Sequence, residues 1–323
     1  MQFGVFVPQG WRMDLADIAD PVEQYEAMTR VAQVADSLTV FDSIWVYDHF
    51  HPVPIPVQGT VFESWTITSA LARDTKRINI GQMVTCNGYR HPALLAKMAS
   101  TVDVLSHGRL YFGLGAGWYA HEWLAYGYGF PEQRDRMRAF GEACKIINKM
   151  WTEESPTFSG NYYHIDKPIN QPKGVRKPHP SFWIGGGGEQ VTLKLVARYG
   201  DACNVGGDAA TLQHKFEVLR SHCEAEGRNY DDILRSSTIQ DVILLHPGED
   251  AKALAEPIAR ARGSDYERFA AGAQLDTPEQ LTERIQALAD AGVNYVLLYF
   301  SRAAYDPEQL HRFATEVAPH FQG

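Results

Sequence analysis

Cysteine is scarce in this chain and follows no pattern. Cys86, Cys144, Cys203 and Cys223 are scattered without C-x-x-C spacing, which argues against a zinc knuckle and against a disulfide framework. A reducing cytoplasm is the compartment expected for such a pattern. Long apolar runs are missing too, so no membrane span is expected. The opening MQFGVFVPQG has no basic start, long apolar core or cleavage site and reads as a strand, not a signal peptide. Positive charge is in short supply: 30 Lys and Arg against 39 Asp and Glu give a net charge of −9, which excludes a general nucleic-acid binder. No G-x-G-x-x-G follows the first strand, so the usual dinucleotide crevice is not expected. Neither a linker nor a low-complexity tract divides residues 1–323, which read as a single domain.

What is present is a repeated alternation of strand-like and helix-like segments. Strands are expected at Phe3–Pro8, Ser43–Tyr47, Ile78–Thr85, Arg109–Leu114, Phe182–Gly185, Asp201–Val205, Ser237–Leu245 and Tyr295–Phe300. Helical patterns lie between most of them, among them Glu23–Leu38, Pro92–Leu105, Gln133–Trp151 and Ala209–Glu226. Strands joined by helical crossovers pair in parallel. Eight such units in a chain of this length predict an α/β fold, the (β/α)8 TIM barrel. Thr152–Pro180 and Pro247–Asp276 exceed a minimal barrel and read as insertions after strands four and seven. The basic face of Gln133–Trp151 reads as solvated or as an oligomer contact.

Four segments carry candidate chemistry. Asp48-His49 follows strand two, where an acid beside an imidazole suits proton transfer near neutrality. His49-x-His51 also has the spacing of a zinc ligand pair, but a barrel metallohydrolase would need further ligands after other strands, and no metal is expected. Gly113-x-Gly115-x-Gly117 ends strand four, and glycines there let backbone approach a ligand closely. Trp118, His121 and Glu122 follow in an aromatic-rich stretch. Gly185–Gly188 stands between a strand and a helix, the form of a phosphate cradle. Met83-Val84-Thr85-Cys86 ends strand three and by pattern alone is a turn.

Taken in this order, these motifs resemble the bacterial-luciferase-like flavin and deazaflavin oxidoreductases, in the branch that uses coenzyme F420, an 8-hydroxy-5-deazaflavin. The resemblance implies a barrel with the cofactor's tricycle at the strand C-termini. It further implies a non-proline cis peptide at Met83–Val84 that props the ring, with Thr85 and Cys86 beside it. Asp48, Ala116, Gly117, Trp118 and His121 would contact the cofactor, and Gly187, Gly188, Gln190 and Val191 would cradle its phosphate and tail. His49 would exchange the proton, oriented by Asp48, with Glu122 a further acid–base candidate. Sugar-phosphate dehydrogenases of this family carry an acid where this chain has Trp118, so glucose 6-phosphate oxidation is not expected. The expected reaction is hydride transfer to or from a small organic substrate, with reduction of C=C or C=N favoured. An FMN-dependent monooxygenase is the alternative, and a non-catalytic flavin-binding protein is the alternative of another class. A cytoplasmic homodimer without nucleic-acid or membrane partners completes the expectation. The substrate would be set by loops at Trp11–Asp20, Val53–Thr60, Thr152–Pro180 and Pro247–Asp276.

Overall fold

Strand β1, Gln2–Phe6, pairs in parallel with β2, Phe41–Val46, on one side and with β8, Tyr295–Phe300, on the other. The computed structural model describes residues 1–53 and 56–321. Between β2 and β8 the sheet continues through β3 (Asn79–Gln82), β4 (Leu110–Gly115), β5 (Ser181–Gly185), β6 (Ala202–Asn204) and β7 (Leu234–Leu244). Pairing of β6 with β7 and of β7 with β8 closes the ring, so these parallel strands form a (β/α)8 TIM barrel.

Two apolar layers hold it together. Helices pack outside the strands through residues at helical spacing, as Phe140, Ala143, Cys144, Ile147 and Trp151 do on Gln133–Thr152. Arg134, Arg138 and Lys145 on the same helix remain exposed. The barrel interior is filled mainly by rings rather than by branched aliphatics. Trp183 packs against Trp45 at 4.7 Å, Tyr295 at 5.0 Å and Tyr111 at 5.2 Å between ring centroids. Three of the four rings find partners for their polar ends: Ser43 Oγ accepts from Trp45 Nε1, and Asp42 accepts from the hydroxyls of Tyr111 and Tyr295, whereas Trp183 Nε1 has no partner among the described residues. Room for Trp45 comes from glycine at two positions. A Cβ on Gly81 would stand 2.4 Å from the Trp45 ring, and one on Gly4 would stand 2.5 Å from its Nε1. Gly81→Ala is therefore expected to overpack the barrel and cost about 1–3 kcal/mol, read as a lower thermal midpoint with the far-ultraviolet circular dichroism unchanged.

Several expected boundaries are displaced. The third strand stops at Gln82 and resumes only at Thr85–Cys86, with a cis Met83–Val84 peptide between. The pattern of Pro307–Ala318, after β8, predicts one closing helix, but the segment is α-helical only over Glu308–Arg312 and then widens and tightens to Phe321. Inside the insertions lie a hairpin, Thr157–Ser159 with His164–Asp166, and a short strand, Gln274–Asp276, that extends the sheet beside β7. Among the described residues no helix is long and apolar enough to cross a membrane.

Candidate active site

The C-terminal ends of β2 to β6 surround a cavity of about 370 Å³. Its wall combines the segment after β2 (Tyr47, Asp48, His49), the break after β3 (Met83, Val84, Cys86), the end of β4 (Gly115 to Tyr119) and the turn after β5 (Gly185, Gly186). Trp11, from the loop after β1, lies parallel to the His49 ring at 5.3 Å and 6°. Trp118 meets that ring edge-on at 6.1 Å and is itself 63% exposed, a rim residue. No lysine or arginine is among the residues that form this wall.

His49 is held by Glu122. The short helix Ala120–Ala125 turns Glu122 and Trp123 inward, and Glu122 is completely buried. Its Oε2 lies 2.8 Å from His49 Nδ1 and 2.8 Å from the Tyr89 hydroxyl, while Oε1 accepts from the Phe50 amide at 2.7 Å. Burial alone would raise this carboxyl, but the hydrogen bond and charge of His49, with the Phe50 and Tyr89 donors, hold it below its ordinary value. A carboxylate at Nδ1 fixes the imidazole with Nδ1–H toward it, which leaves Nε2 as the nitrogen for a ligand.

Asp48 does something else. Its carboxylate accepts from the Cys86 amide at 2.9 Å, from Ser64 Oγ at 2.8 Å, and from Arg90 through both guanidinium nitrogens at 2.7 and 3.0 Å. All its strong acceptor positions are committed, so the expectation that Asp48 orients His49 is corrected: Glu122 does so. Asp48 instead ties the end of β2 to the segment after the Met83–Val84 break while still facing the cavity. Burial pushes Tyr47 and the Cys86 thiol well above their ordinary values, so both stay protonated near neutrality.

The glycines of strand four serve the break in strand three. A Cβ on Gly113 would stand 1.8 Å from the Gln82 carbonyl oxygen, and Cβ atoms on Gly115 and Gly185 would stand 2.6 and 2.8 Å from Val84 methyls. Val84 thus seats between β4 and β5 because neither strand has side chains there. Gly117, at φ +80°, packs against Cys86 and Trp123, which a side chain would strike.

With this geometry in place, residues 1–294 match the luciferase-like monooxygenases. The chain belongs to that family. Among its relatives is an F420-dependent glucose-6-phosphate dehydrogenase of Amycolatopsis mediterranei, 28% identical over 86% of this chain and 89% of that one. An FMNH(2)-dependent dimethylsulfone monooxygenase of Pseudomonas putida is 25% identical over 80% of this chain and 78% of that one. An F420-dependent secondary alcohol dehydrogenase, solved with an F420-acetone adduct, superposes with a TM-score of 0.81 at 21% identity, covering 100% of this chain and 99% of that one.

Within this luciferase-like barrel the expected site residues are not all equally placed. Asp48, His49, Met83, Val84, Cys86, Ala116, Gly117 and Trp118 come together on the cavity wall. Thr85 is behind it, its hydroxyl taken by Trp65 Nε1 at 3.2 Å. His121 is not on the wall either: it is exposed on the rim, its Nδ1 3.0 Å from His51 Nε2. His49 and His51 therefore have separate partners and do not converge on one point. Gly187, Gly188, Gln190 and Val191 continue outward from the wall residue Gly186 and lead into the helix Thr192–Tyr199. Of the loops expected to set the substrate, Trp11–Asp20 contributes Trp11 to the wall, and the described parts of the other three contribute none. Pro54 and Ile55, inside Val53–Thr60, lie outside the described residues. Trp11, Tyr89 and Arg90 were not among the expected site residues. Arg90 and Tyr89 had a signal, since both follow the strand-three motif within four residues of Cys86.

Proposed function

We propose that this chain is a coenzyme F420-dependent oxidoreductase acting on a small organic molecule. The observation that carries the reading is the His49–Glu122 pair, a tautomer-fixed imidazole on the wall of an apolar cavity at the mouth of a barrel. The names of relatives support the deazaflavin over FMN.

The residues present fit such a group. Met83, Val84 and Ala116 make an apolar bed for a flat ring. Beyond it, Gly186 stands at φ +120°, and the helix Thr192–Tyr199 begins with no side-chain cap; the Leu193 amide is taken by the Gly188 carbonyl at 3.0 Å and the Gly186 amide by the Asn204 carbonyl at 2.9 Å, so an anion would meet the remaining amides of the turn. Bound there, the deazaflavin would supply two-electron hydride chemistry. The chain does the remainder. Trp11, stacked parallel to His49, covers that ring from water, with Trp118 at the rim; Glu122 keeps Nδ1 protonated; Nε2 gives or takes the proton that accompanies the hydride. Asp48 holds the ring bed in register through the Cys86 amide. The four buried free cysteines fit a reducing compartment.

Purified protein titrated with oxidised F420 and with FMN, then assayed for oxygen uptake with each reduced cofactor, tests this. The expected result is tighter binding of F420 and no oxygen uptake above the cofactor's own background. Preferred FMN binding with protein-dependent oxygen consumption would establish the monooxygenase reading instead.

A further inference from the structure

The glycine turn after β5 is followed at once by Glu189, and three side chains of the helix Ala209–Glu226 converge on that residue. Lys215 Nζ donates to Glu189 Oε1 at 2.6 Å, and His214 Nε2 lies 3.1 Å from the same oxygen. His222 Nε2 lies 2.8 Å from the Glu189 carbonyl. Lys215 also flanks the turn itself, with its Cε 3.7 Å from where a Cβ on Gly187 would stand. The side chains of Lys215 and Glu189 are 21% and 34% exposed, so the pair is partly shielded from solvent. The hydrogen bond and charge of Lys215, with those of His214, hold the Glu189 carboxyl below its ordinary value, so it is an anion at neutral pH.

A phosphate held by the amides of this turn would therefore meet a cation already shared with a carboxylate. That arrangement treats phosphates unequally. A phosphodiester, as in F420, carries one negative charge at the phosphorus. A terminal phosphate, as in FMN, has a second pKa near about 6 and carries almost two at neutral pH. The second charge gains no new cation and lies near the Glu189 carboxylate.

Resting on the deazaflavin reading above, we propose that Glu189 is a specificity-determining residue that selects a cofactor with a diester phosphate over one ending in a free phosphate, with Lys215 as the shared countercharge. Across a few ångströms at a partly solvated site, one additional unit of like charge is disfavoured roughly fivefold.

The test is a set of binding titrations by quenching of tryptophan fluorescence at low ionic strength. Wild type, Glu189→Gln and Lys215→Gln are each titrated with oxidised F420, FMN and riboflavin, which has the ring and no phosphate. Glu189→Gln is expected to tighten FMN more than F420, moving their affinity ratio about fivefold toward FMN, and to leave riboflavin unchanged. Lys215→Gln is expected to weaken both phosphorylated ligands, FMN more. Added salt should shrink these differences. An FMN-to-F420 ratio equal in Glu189→Gln and wild type would overturn the proposal. So would a riboflavin affinity that moves with Glu189→Gln, because Glu189 would then be shaping the ring pocket. Failure of the deazaflavin reading appears separately, in wild type alone, as a preference for FMN, whereas the selection by Glu189 is read from the change between variant and wild type.

Discussion

His49→Ala is expected to lower turnover by about 10²–10⁴-fold while leaving F420 affinity nearly unchanged, the usual size of a lost general acid or base. The separation follows from the geometry. His49 is one residue of a wall that also includes Met83, Val84, Ala116 and Gly117, so the ring keeps most of its contacts. What disappears is the imidazole Nε2, while Tyr47 and Cys86 nearby hold their protons too tightly to replace it. Wild-type turnover in the variant would remove His49 from the reaction. A parallel loss of cofactor affinity would make it a binding residue instead.

Glu122→Gln is the second large effect. An amide cannot serve as the carboxylate does toward Nδ1–H, so the imidazole loses its fixed tautomer and the charge that stabilises its protonated form. Turnover is expected to fall by roughly 10²–10⁴-fold, as for other histidines that lose an orienting carboxylate. The loss should fall on kcat, with F420 affinity nearly unchanged. A parallel loss of affinity would show instead that the variant reshapes the ring pocket. Stability follows a separate sign. The Glu122 carboxyl sits below its ordinary value of 4.5, so the folded state binds its proton less readily than the unfolded chain. Its contribution is complete above the ordinary value and is lost as pH falls through the depressed one. Wild type should therefore lose thermal stability between about pH 5 and pH 3 more steeply than Glu122→Gln.

Much of the fold is legible in the sequence because the strands are short, apolar and separated by helical patterns. Tyr295–Phe300 and Pro92–Leu105 fall where their spacing places them. The hairpin in the first insertion is not legible, since Thr157–Ser159 and His164–Asp166 are too short to show an alternation and each has only one buried position, or none. The site is legible in its parts and not in its wiring. His49 stands out as an imidazole after a strand, but its carboxylate lies 73 residues away, on a separate helix. Adjacency favours Asp48, whose side chain is instead drawn off by Arg90, 42 residues on. Gly113 and Gly115 read as a wall for a ligand, and Gly115 is one. Both are also demanded by what lies across the sheet, the Gln82 carbonyl and Val84, which linear spacing does not reveal.

The most direct measurement is a crystal structure of the protein with F420 bound. The expected result is a tricyclic ring resting on Met83 and Val84, with its reactive carbon beside His49 Nε2 and its phosphate at the Gly186–Val191 turn. A ring bound outside this cavity, or inside it with the reactive carbon turned away from His49, would contradict the assignment.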